Sequence, residues 1–597
     1  MKRLLAYIIA LAGVIVFVYQ DAPGNAFHLD DEANIIMAPA IRIQHLDIPS
    51  LQGVLEGAHL PSRPLPNLTL GIDWWRGSGT PRPFQWTNII IHSLVAIAVF
   101  LLLLTILRGA DSKEYNSRVV LAAFLATLMW AVHPIQVQAV TYIIQRMASM
   151  AALFMLLSLL AYLAARKAES NGRRWVMAAL SLLSGVAAIL CKENAYVLPA
   201  LIFLLEYGVI RDRQPLIQHG WDKLLLAAPV VLVLYVVIDL ISGAGPLSQR
   251  FYPEYHTRDF TLGERLLSQP RVILHYLSQM IWPLPERFSI EHDFVKSSSL
   301  LDPPATLAAL AGLLLWIGGG IWLLLRRGYR LYGFFLLWVP ATLAIESSFV
   351  ALEMVFEHRM YLPSAGLAGL LALTMARISQ QGVATRTGVT VVGLAVIALL
   401  AWSAMIRIPV WSSSISLYEH AVKVAPNSSR AWGNLGADYL LAGEYEKAEQ
   451  ALRRATTLDV KNDKAHEAYG VLLVKLGRYA QADNAFRQAA LAAGGITPSL
   501  LNHRGGLYLA MKDYASARFY FQELIKMEGW NPTAYWNLAL AYERDGDCTN
   551  ALATWRQYLQ IESVQVNKAK IEQHINNKYS PGGKCYPGAP DMTGDSP

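Results

Sequence analysis

The sequence predicts an all-α protein in which a helical domain with many membrane spans is followed by a soluble α-solenoid. Three observations predict this class. About eleven apolar segments are long enough, or nearly so, to cross a bilayer. Alternate loops between them are basic, and the residues after about 427 repeat at a fixed interval. A hydrophobic content of 54% and a mean hydropathy of +0.31 exclude an ordinary soluble protein.

The apolar segments are read in order along the first 410 residues. They lie at about 4–19, 88–107, 119–140, 147–165, 175–190, 196–210, 224–242, 304–325, 331–349, 361–377 and 388–406. Because Lys2 and Arg3 precede the first segment, we expect its N-terminus to be cytoplasmic. The following residues Asp21 to Ala26 form a poor cleavage site, so we expect a retained anchor. The segment at 271–283 is short and ends at Pro283, so we expect it to be re-entrant or interfacial.

An odd number of spans would place both long loops, about 20–87 and 243–303, on the non-cytoplasmic face together with everything after Arg407. The expected organisation is a membrane domain at 1–410, repeats at 411–564 and a tail at 565–597.

The net charge of +7 follows from basic loops that orient the spans, and it gives no nucleic-acid signal. An outer tail would permit a disulfide between Cys548 and Cys585. The uncleaved anchor and modest length favour a bacterial inner membrane with periplasmic repeats.

Acidic residues follow the first span directly, in the run His28-Leu29-Asp30-Asp31-Glu32. Charges held so near a bilayer are costly unless they are solvated or used, so this run indicates either chemistry or a solvated loop start. Short outward turns bring further polar residues to the same face: His133, Arg146, Lys192, Glu193, His358 and Arg359. Each one alone could equally be a helix cap or an interfacial anchor. Together they favour one shared site.

The C-terminal part repeats about every 34 residues in four copies. Trp432, Leu435, Gly436 and Tyr439 of the first copy recur with similar spacing in the others, followed by Ala448, Leu452 and Ala455. This is the tetratricopeptide pattern, in which small residues let the two helices of a repeat pack closely. Residues Ile415 to Ala425 predict one leading helix. Such a stack should offer a concave groove for an extended peptide or a partner protein.

Several motifs occur in an order that resembles a known family. They are Phe27-His28-Leu29-Asp30-Asp31, Ser62-Arg63-Pro64-Leu65, Arg82-Pro83-Phe84 with Asn88 and His92, Val132-His133-Pro134, Lys192-Glu193-Asn194 and His358-Arg359-Met360-Tyr361-Leu362-Pro363. This succession is similar to the transmembrane and tetratricopeptide-repeat O-mannosyltransferases and to their prokaryotic relatives among the GT-C glycosyltransferases. The resemblance implies a GT-C-like membrane enzyme with an acidic first outer loop. It also implies a polyprenyl-phosphate-linked sugar donor and Ser or Thr acceptors on exported proteins.

Such a donor is already activated, so the enzyme needs one base and a group that stabilises the departing phosphate. Asp30 and Asp31 are the candidate bases, with Asp30 slightly favoured. If the run is extended, neighbouring side chains point to opposite sides and only one can face the sugar. The candidate contacts to donor phosphate or sugar are Arg146, Lys192 and Arg359, then His133 and His358, with Glu193 beside them and Arg63 ranked lower. Direct attack by the acceptor would invert the anomeric configuration.

A divalent metal is left open, because Asp30, Asp31, Glu32 and Asp73 lie on one loop without a diagnostic ligand spacing. No other cofactor is predicted. Two alternative functions remain from the sequence: a glycosyltransferase acting on a lipid or glycan acceptor, and a non-catalytic scaffold that presents repeats to an export or polysaccharide assembly machine. A transporter is less attractive, because charged residues at mid-membrane depth are scarce.

Overall fold

The structure is a computed structural model that describes residues 2–108, 117–211, 235–236, 238–239, 242, 249, 253–562, 565–580 and 583–585. The predicted span at 224–242 lies largely outside the described residues. The chain forms two compact units, Met1–His420 and Ala421–Pro597.

The first unit is built from apolar helices, as predicted, although fewer than eleven of those in the described ranges are both long and apolar enough to cross a membrane. Among the described residues, six are long and apolar enough to span: Lys2–Gly24, Arg82–Leu107, Ile143–Arg166, Glu193–Ile210, Ala305–Leu325 and Val383–Trp411. A seventh span results if Ser117–Ala131 and Pro134–Thr141, bent by 52°, count as one. The chain is therefore a multi-pass membrane protein.

The difference from eleven predicted segments has a physical cause. Every predicted segment within the described residues is helical, but two are short: Arg330–Leu343 has 14 residues and Pro363–Ile378 has 16. At 1.5 Å per residue they extend only about 21 and 24 Å, less than the hydrocarbon thickness of about 30 Å. A further helix, Asn171–Ile189, carries Arg173 and Arg174 in its first turn. Hydropathy along the sequence indicates the length of an apolar segment, but it does not indicate where the helix within that segment ends.

The helix Arg146–Arg166 defines two opposite ends of the bundle. Its 21 residues correspond to about 31 Å, the thickness of a bilayer core. At one end Arg166 forms an ion pair with Glu206, which also pairs with Arg211. The basic residues of two predicted cytoplasmic loops thus meet at one end, while Arg146 marks the other end.

The long loops contain short helices rather than irregular chain. The first loop includes Ile48–Gly57 and Pro64–Gly77. The segment predicted at 271–283 is the second half of a 20-residue helix, Leu262–Ile281, which begins with a capping box between Thr261 and Glu264. Single helical turns occur at Ala22–Gly24, Glu32–Ile36, Pro134–Gln136, Val137–Thr141, Ile143–Gln145, Glu193–Val197, Pro253–Thr257, Pro285–Arg287, Glu357–Met360 and Ile408–Trp411. Three predicted site residues, Glu193, His358 and Arg359, lie in these turns, and Asp31, His133 and Lys192 directly precede three of them.

The second unit consists of helix pairs with the predicted period. The pairs are Ser429–Leu441 with Tyr445–Leu458, Asp463–Lys475 with Tyr479–Ala492, Pro498–Ala510 with Tyr514–Met527, and Pro532–Arg544 with Cys548–Ile561. The leading helix is found at Ser414–Val424 and a last helix at Gln565–Tyr579. A Cβ added at Gly436, Gly470 or Gly505 would overlap Leu452, Phe486 or Phe521 of the second helix of the same repeat. The prediction that small residues allow this close packing is confirmed.

The end of the repeat array is fixed in two ways. Cys548 and Cys585 form a disulfide bond. Glu543 accepts hydrogen bonds from Trp555, His574 and Tyr579, and pairs with Lys578 at 2.6 Å. Burial alone would raise the pKa of Glu543, but these donors outweigh burial and hold it at about 2. The carboxylate therefore stays ionised and anchors the last helix.

Candidate active site

The acidic motif forms a tight helical turn directly after the first span. Leu29 has a φ of +52°, which is uncommon for a residue with a side chain, and Asp31 has φ −61° and ψ −35°. The run is therefore not extended, so an alternating strand geometry does not separate the two side chains. The turn nevertheless gives the two carboxylates different surroundings, because Asp30 is exposed and Asp31 is completely buried.

Asp31 is held by backbone amides on two sides. Its Oδ2 accepts from the amide of His28 at 3.0 Å, and its Oδ1 accepts from the amide of Ile144 at 2.8 Å. Burial raises the pKa of Asp31 to about 7, and these hydrogen bonds counteract only part of that rise. Asp31 therefore fastens the acidic turn to the segment 133–146.

Asp30 differs in both exposure and contacts. Its backbone amide donates to the hydroxyl of Tyr142 at 2.9 Å, and its carbonyl accepts from Asn34 at 2.8 Å. Its carboxylate remains at the surface. Of the two predicted bases, only Asp30 is accessible to a substrate in this arrangement.

Arg146 is fully buried and stabilises the first outer loop through its contacts with that loop. Its guanidinium lies 2.6 Å from Asp73 and donates to Asn88, Thr69 and the carbonyl of Phe84. In this arrangement the guanidinium is committed to protein groups, and its contact to the donor phosphate stays a prediction. Asp73, which the sequence grouped with the loop acids as a potential metal ligand, is likewise engaged by Arg146, Arg76 and Thr87.

Arg63 and Glu193, predicted from separate motifs, bind each other. Arg63 Nη2 and Nε lie 2.8 and 3.1 Å from Oε2 of Glu193, and Ser62 donates to Oε1. This pair joins the first outer loop to the turn at 192–194. Both side chains are partly exposed, so the pair lies at the rim of the site.

Three further predicted residues lie together on the turns at 192–194 and 357–360. Lys192 pairs with the buried Glu346 at 2.7 Å. His358 donates its amide to Gln138, and its buried Nδ1 has no partner among the described residues. Arg359 donates to the carbonyl of Met354 at 3.3 Å. Burial, followed by the charges of Lys192 and Arg359, holds the pKa of His358 well below its usual value, so its ring is neutral.

The segment 133–146 contacts both the acidic turn and the turn that carries His358. Tyr142 and Ile144 hold the acidic turn, and Gln138 holds His358. This role was hard to predict from the sequence, because most of the segment is apolar.

Sequence reasoning also missed a buried ion pair behind the site. Glu357 lies 2.6 Å from Arg407 and accepts from His292 and from the amide of Ser289. Arg407 also donates to the carbonyl of Pro134. Arg407 stands at the basic end of an apolar helix, where an interfacial anchor is the ordinary interpretation. Its partner lies 50 positions away, so no local pattern could reveal the pair.

His133 lies at the edge of a large apolar cavity. The cavity has a volume of about 790 Å³, and its wall includes Trp130, Met280, Trp282 and Trp402. Both ring nitrogens of His133 are engaged, one with the Ile135 amide and the other with the Met280 carbonyl. In this arrangement His133 shapes the cavity, and its contact to the donor phosphate or sugar stays a prediction. Ile281, Trp282 and Trp402 are each at least 60% exposed, so the cavity borders the surface.

Within the described ranges, no group of three or more His, Cys, Asp or Glu side chains is arranged to hold a metal ion. Both oxygens of Asp31 accept from amides, so Asp30 is the more accessible of the two predicted metal ligands.

Comparison with known proteins agrees with this architecture. The family model described as Tetratricopeptide repeat matches residues 411–463, 468–528 and 504–563. Protein O-mannosyl-transferase TMTC4 of Mus musculus is 26% identical over 421 residues, covering 64% of this chain and 56% of that protein. Protein O-mannosyl-transferase TMTC3 of Homo sapiens is 24% identical over 522 residues, covering 80% of this chain and 54% of that protein.

The chain thus spans about half the length of the curated relatives it matches. Among solved structures, a crystal structure of MamA protein aligns with 26% of this chain and 83% of that chain, at 22% identity and a TM-score of 0.23. The resemblance seen in the sequence motifs is confirmed by the curated relatives and the repeat match. This multi-pass membrane chain is similar to the protein O-mannosyl-transferases TMTC4 and TMTC3, and its C-terminal part matches the tetratricopeptide repeat.

Proposed function

We propose that this chain is a membrane glycosyltransferase of the GT-C type. It transfers a sugar from a polyprenyl-phosphate-linked donor to Ser or Thr hydroxyls of exported proteins, with inversion at the anomeric carbon. The observation that carries the proposal is the exposed carboxylate of Asp30 on an anchored turn directly after a membrane span. The relatives named as protein O-mannosyl-transferases support the reaction class.

Asp30 acts as the base. Its carboxylate takes the proton of the acceptor hydroxyl as the hydroxyl oxygen attacks the anomeric carbon. The bond between that carbon and the phosphate oxygen breaks, and the polyprenyl phosphate leaves with the electron pair. Because attack and departure occur on opposite sides of the sugar, one displacement inverts the configuration.

The leaving phosphate is bound by Arg359, with Lys192 and His358 beside it. Arg359 uses one described hydrogen bond to the protein, and a guanidinium can contact two phosphate oxygens at once. Lys192 contributes a point charge that its pairing with Glu346 partly balances. Arg63 and Glu193 hold the loop over the site.

The apolar cavity beside His133 receives the polyprenyl chain. Its volume of about 790 Å³ and its mainly apolar wall suit an isoprenoid, and its exposed tryptophans suit the membrane interface. The repeats bind the acceptor protein or an assembly partner. The first loop and the repeats lie on the periplasmic side of a bacterial inner membrane, an oxidising compartment that favours the Cys548–Cys585 disulfide.

Sugar transfer by purified Asp30→Asn protein tests the proposal. With a polyprenyl-phosphate sugar and an exported acceptor protein, we expect transfer to fall about 100-fold to 10,000-fold, the usual contribution of a general base. Glu32→Gln is the matched control, because Glu32 is also exposed and lies two residues away. Wild-type transfer by the Asp30→Asn protein would overturn the assignment.

The product identifies the acceptor class. Mass spectrometry of exported proteins and of lipid extracts from a deletion strain should show loss of a sugar from Ser or Thr residues. Loss from lipids or glycans alone would favour the alternative acceptor, and no loss from either would favour a scaffold. Repeating the assay with a chelator determines whether a divalent metal at Asp30 and Asp31 takes part.

A further inference from the structure

Tyr142 is a buried tyrosine that contacts the proposed base. Its hydroxyl accepts a hydrogen bond from the Asp30 amide at 2.9 Å. The Asp30 carboxylate is also near enough to interact electrostatically with the same hydroxyl. The Tyr142 side chain is 2% exposed, so its position is set by the protein around it.

The ring of Tyr142 is fixed by Trp411. The two rings stack with centroids 5.7 Å apart and an angle of 25° between their planes. Trp411 is itself 1% exposed, and its carbonyl accepts from Nε2 of His28 at 2.6 Å. The His28 ring also meets the Trp411 ring edge to face at 5.7 Å. One aromatic pair therefore holds the acidic turn on both sides of Leu29.

This double attachment accounts for the backbone at Leu29. A non-glycine residue at φ +52° is energetically unfavourable and persists only where its neighbours fix it. His28 is fixed on Trp411 and Asp30 on Tyr142, so the strained residue lies between two anchors. Backbone strain of this kind is tolerated where the orientation of a neighbouring side chain, here that of Asp30, is important for function.

We propose that Tyr142, supported by Trp411, is a positioning residue that directs the Asp30 carboxylate toward the acceptor hydroxyl. This inference rests on the proposed function, because it assigns a role relative to Asp30 as base. The Tyr142 hydroxyl acts through Asp30 and does not touch the substrate. Its removal should therefore slow the chemical step and leave donor binding intact.

The Tyr142→Phe variant of the full chain provides the test, since it keeps the ring on Trp411 and removes only the hydroxyl. We expect kcat for sugar transfer to fall about tenfold while the KM for the donor changes less than about twofold. A merely structural role would lower the amount of folded enzyme and would not slow kcat of the folded fraction while leaving the donor KM unchanged.

Tyr19→Phe is the matched control. Tyr19 is also fully buried, and its hydroxyl has no hydrogen-bond partner among the described residues. Its removal should leave kcat and the donor KM unchanged. Trp411→Leu should reproduce the defect of Tyr142→Phe, and Trp411→Phe, which retains an aromatic ring, should restore part of the rate.

The outcomes separate this inference from the proposed function. Wild-type transfer by Asp30→Asn protein overturns the proposed function. Loss of transfer in Asp30→Asn, with wild-type kcat in Tyr142→Phe, overturns the positioning role alone. A raised donor KM with unchanged kcat in Tyr142→Phe also overturns it, because that result indicates substrate binding. If Tyr142→Phe fails to fold, kcat is compared between Trp411→Leu and Trp411→Phe. Equal kcat values in these two variants would overturn the positioning role.

Discussion

Asp30 and Asp31 are adjacent and chemically identical, yet the protein gives them different properties. Asp31 is enclosed and saturated by the amides of His28 and Ile144, whereas the Asp30 carboxylate faces outward. A buried carboxyl resists ionisation, and an exposed one is available to accept a proton. This division supports Asp30 as the proposed base and Asp31 as the residue that fixes the turn.

Asp31 should make stability depend on pH in a defined window. Its pKa is about 7 in the folded protein against a usual 3.8, so the folded state retains a proton that the unfolded chain has released. The stabilising contribution is full below about pH 4 and is lost as pH rises to about 7, by up to about 1.4 kcal/mol per pH unit. Asp31→Asn removes this dependence.

Thermal unfolding in detergent, followed from about pH 4.5 to pH 8, measures the effect. The unfolding free energy of the wild type minus that of Asp31→Asn should decrease as pH rises. A difference that stays constant across this window would contradict the buried, proton-retaining state of Asp31.

At the scale of helices, two neighbouring glycines in Pro498–Ala510 have opposite roles. A Cβ on Gly505 would overlap Phe521, whereas a Cβ on Gly506 meets nothing within 4 Å. Gly505→Ala should destabilise the repeat by about 1–3 kcal/mol through overpacking. Gly506→Ala, the control, should stabilise it by about 0.5–1 kcal/mol because alanine favours the helix. Hydrogen exchange of helices 498–510 and 514–527 in the full chain measures both, and equal effects would refute the packing argument.

The same scale shows what a sequence can reveal. The repeats were predictable because Gly436, Gly470 and Gly505 recur at a fixed spacing and every copy solves the same packing problem. The apolar segments were predictable as helices, but their breaks were not. The break near His133 and Pro134 depends on contacts with Met280 and Arg407, more than 140 positions away.

In the candidate site, too, local features were predictable from the sequence and long-range contacts were not. The acidic turn and the polar turns were visible as charges next to apolar segments. The partners Asp73, Tyr142, Glu346 and Arg407 decide which of those charges are available, and each comes from a distant part of the chain. Local patterns thus nominate residues, and tertiary pairing decides which of them face a substrate.

At the scale of the whole molecule, Glu357 connects distant segments of the first unit, Met1–His420, which is the membrane unit. It accepts from Ser289 and His292 of the second long loop and pairs with Arg407 at the end of the last span. Arg407 in turn donates to Pro134 at the start of the segment that holds the acidic turn. One buried carboxylate therefore fixes the second loop, the last span and the proposed active site relative to each other.

Glu357→Gln should destabilise the membrane unit by about 3–5 kcal/mol, because it leaves the Arg407 guanidinium buried without a counter-charge. Glu56→Gln, at an exposed position, is the control. Thermal unfolding of the purified protein in detergent measures the loss, and replacing both partners, as in Glu357→Met with Arg407→Leu, should recover part of it. A loss as small as that of Glu56→Gln would contradict the connecting role.

The pH dependence of this pair has the opposite sign to that of Asp31. Although burial opposes ionisation, Arg407 and His292 hold the pKa of Glu357 at about 2, below its usual 4.5. Its stabilisation is thus present above about pH 4.5 and is lost as pH falls toward 2. Acid should therefore destabilise the wild type more steeply than Glu357→Gln below about pH 4.5. Parallel acid unfolding curves for the two proteins would show that Glu357 is not ionised in the folded membrane unit.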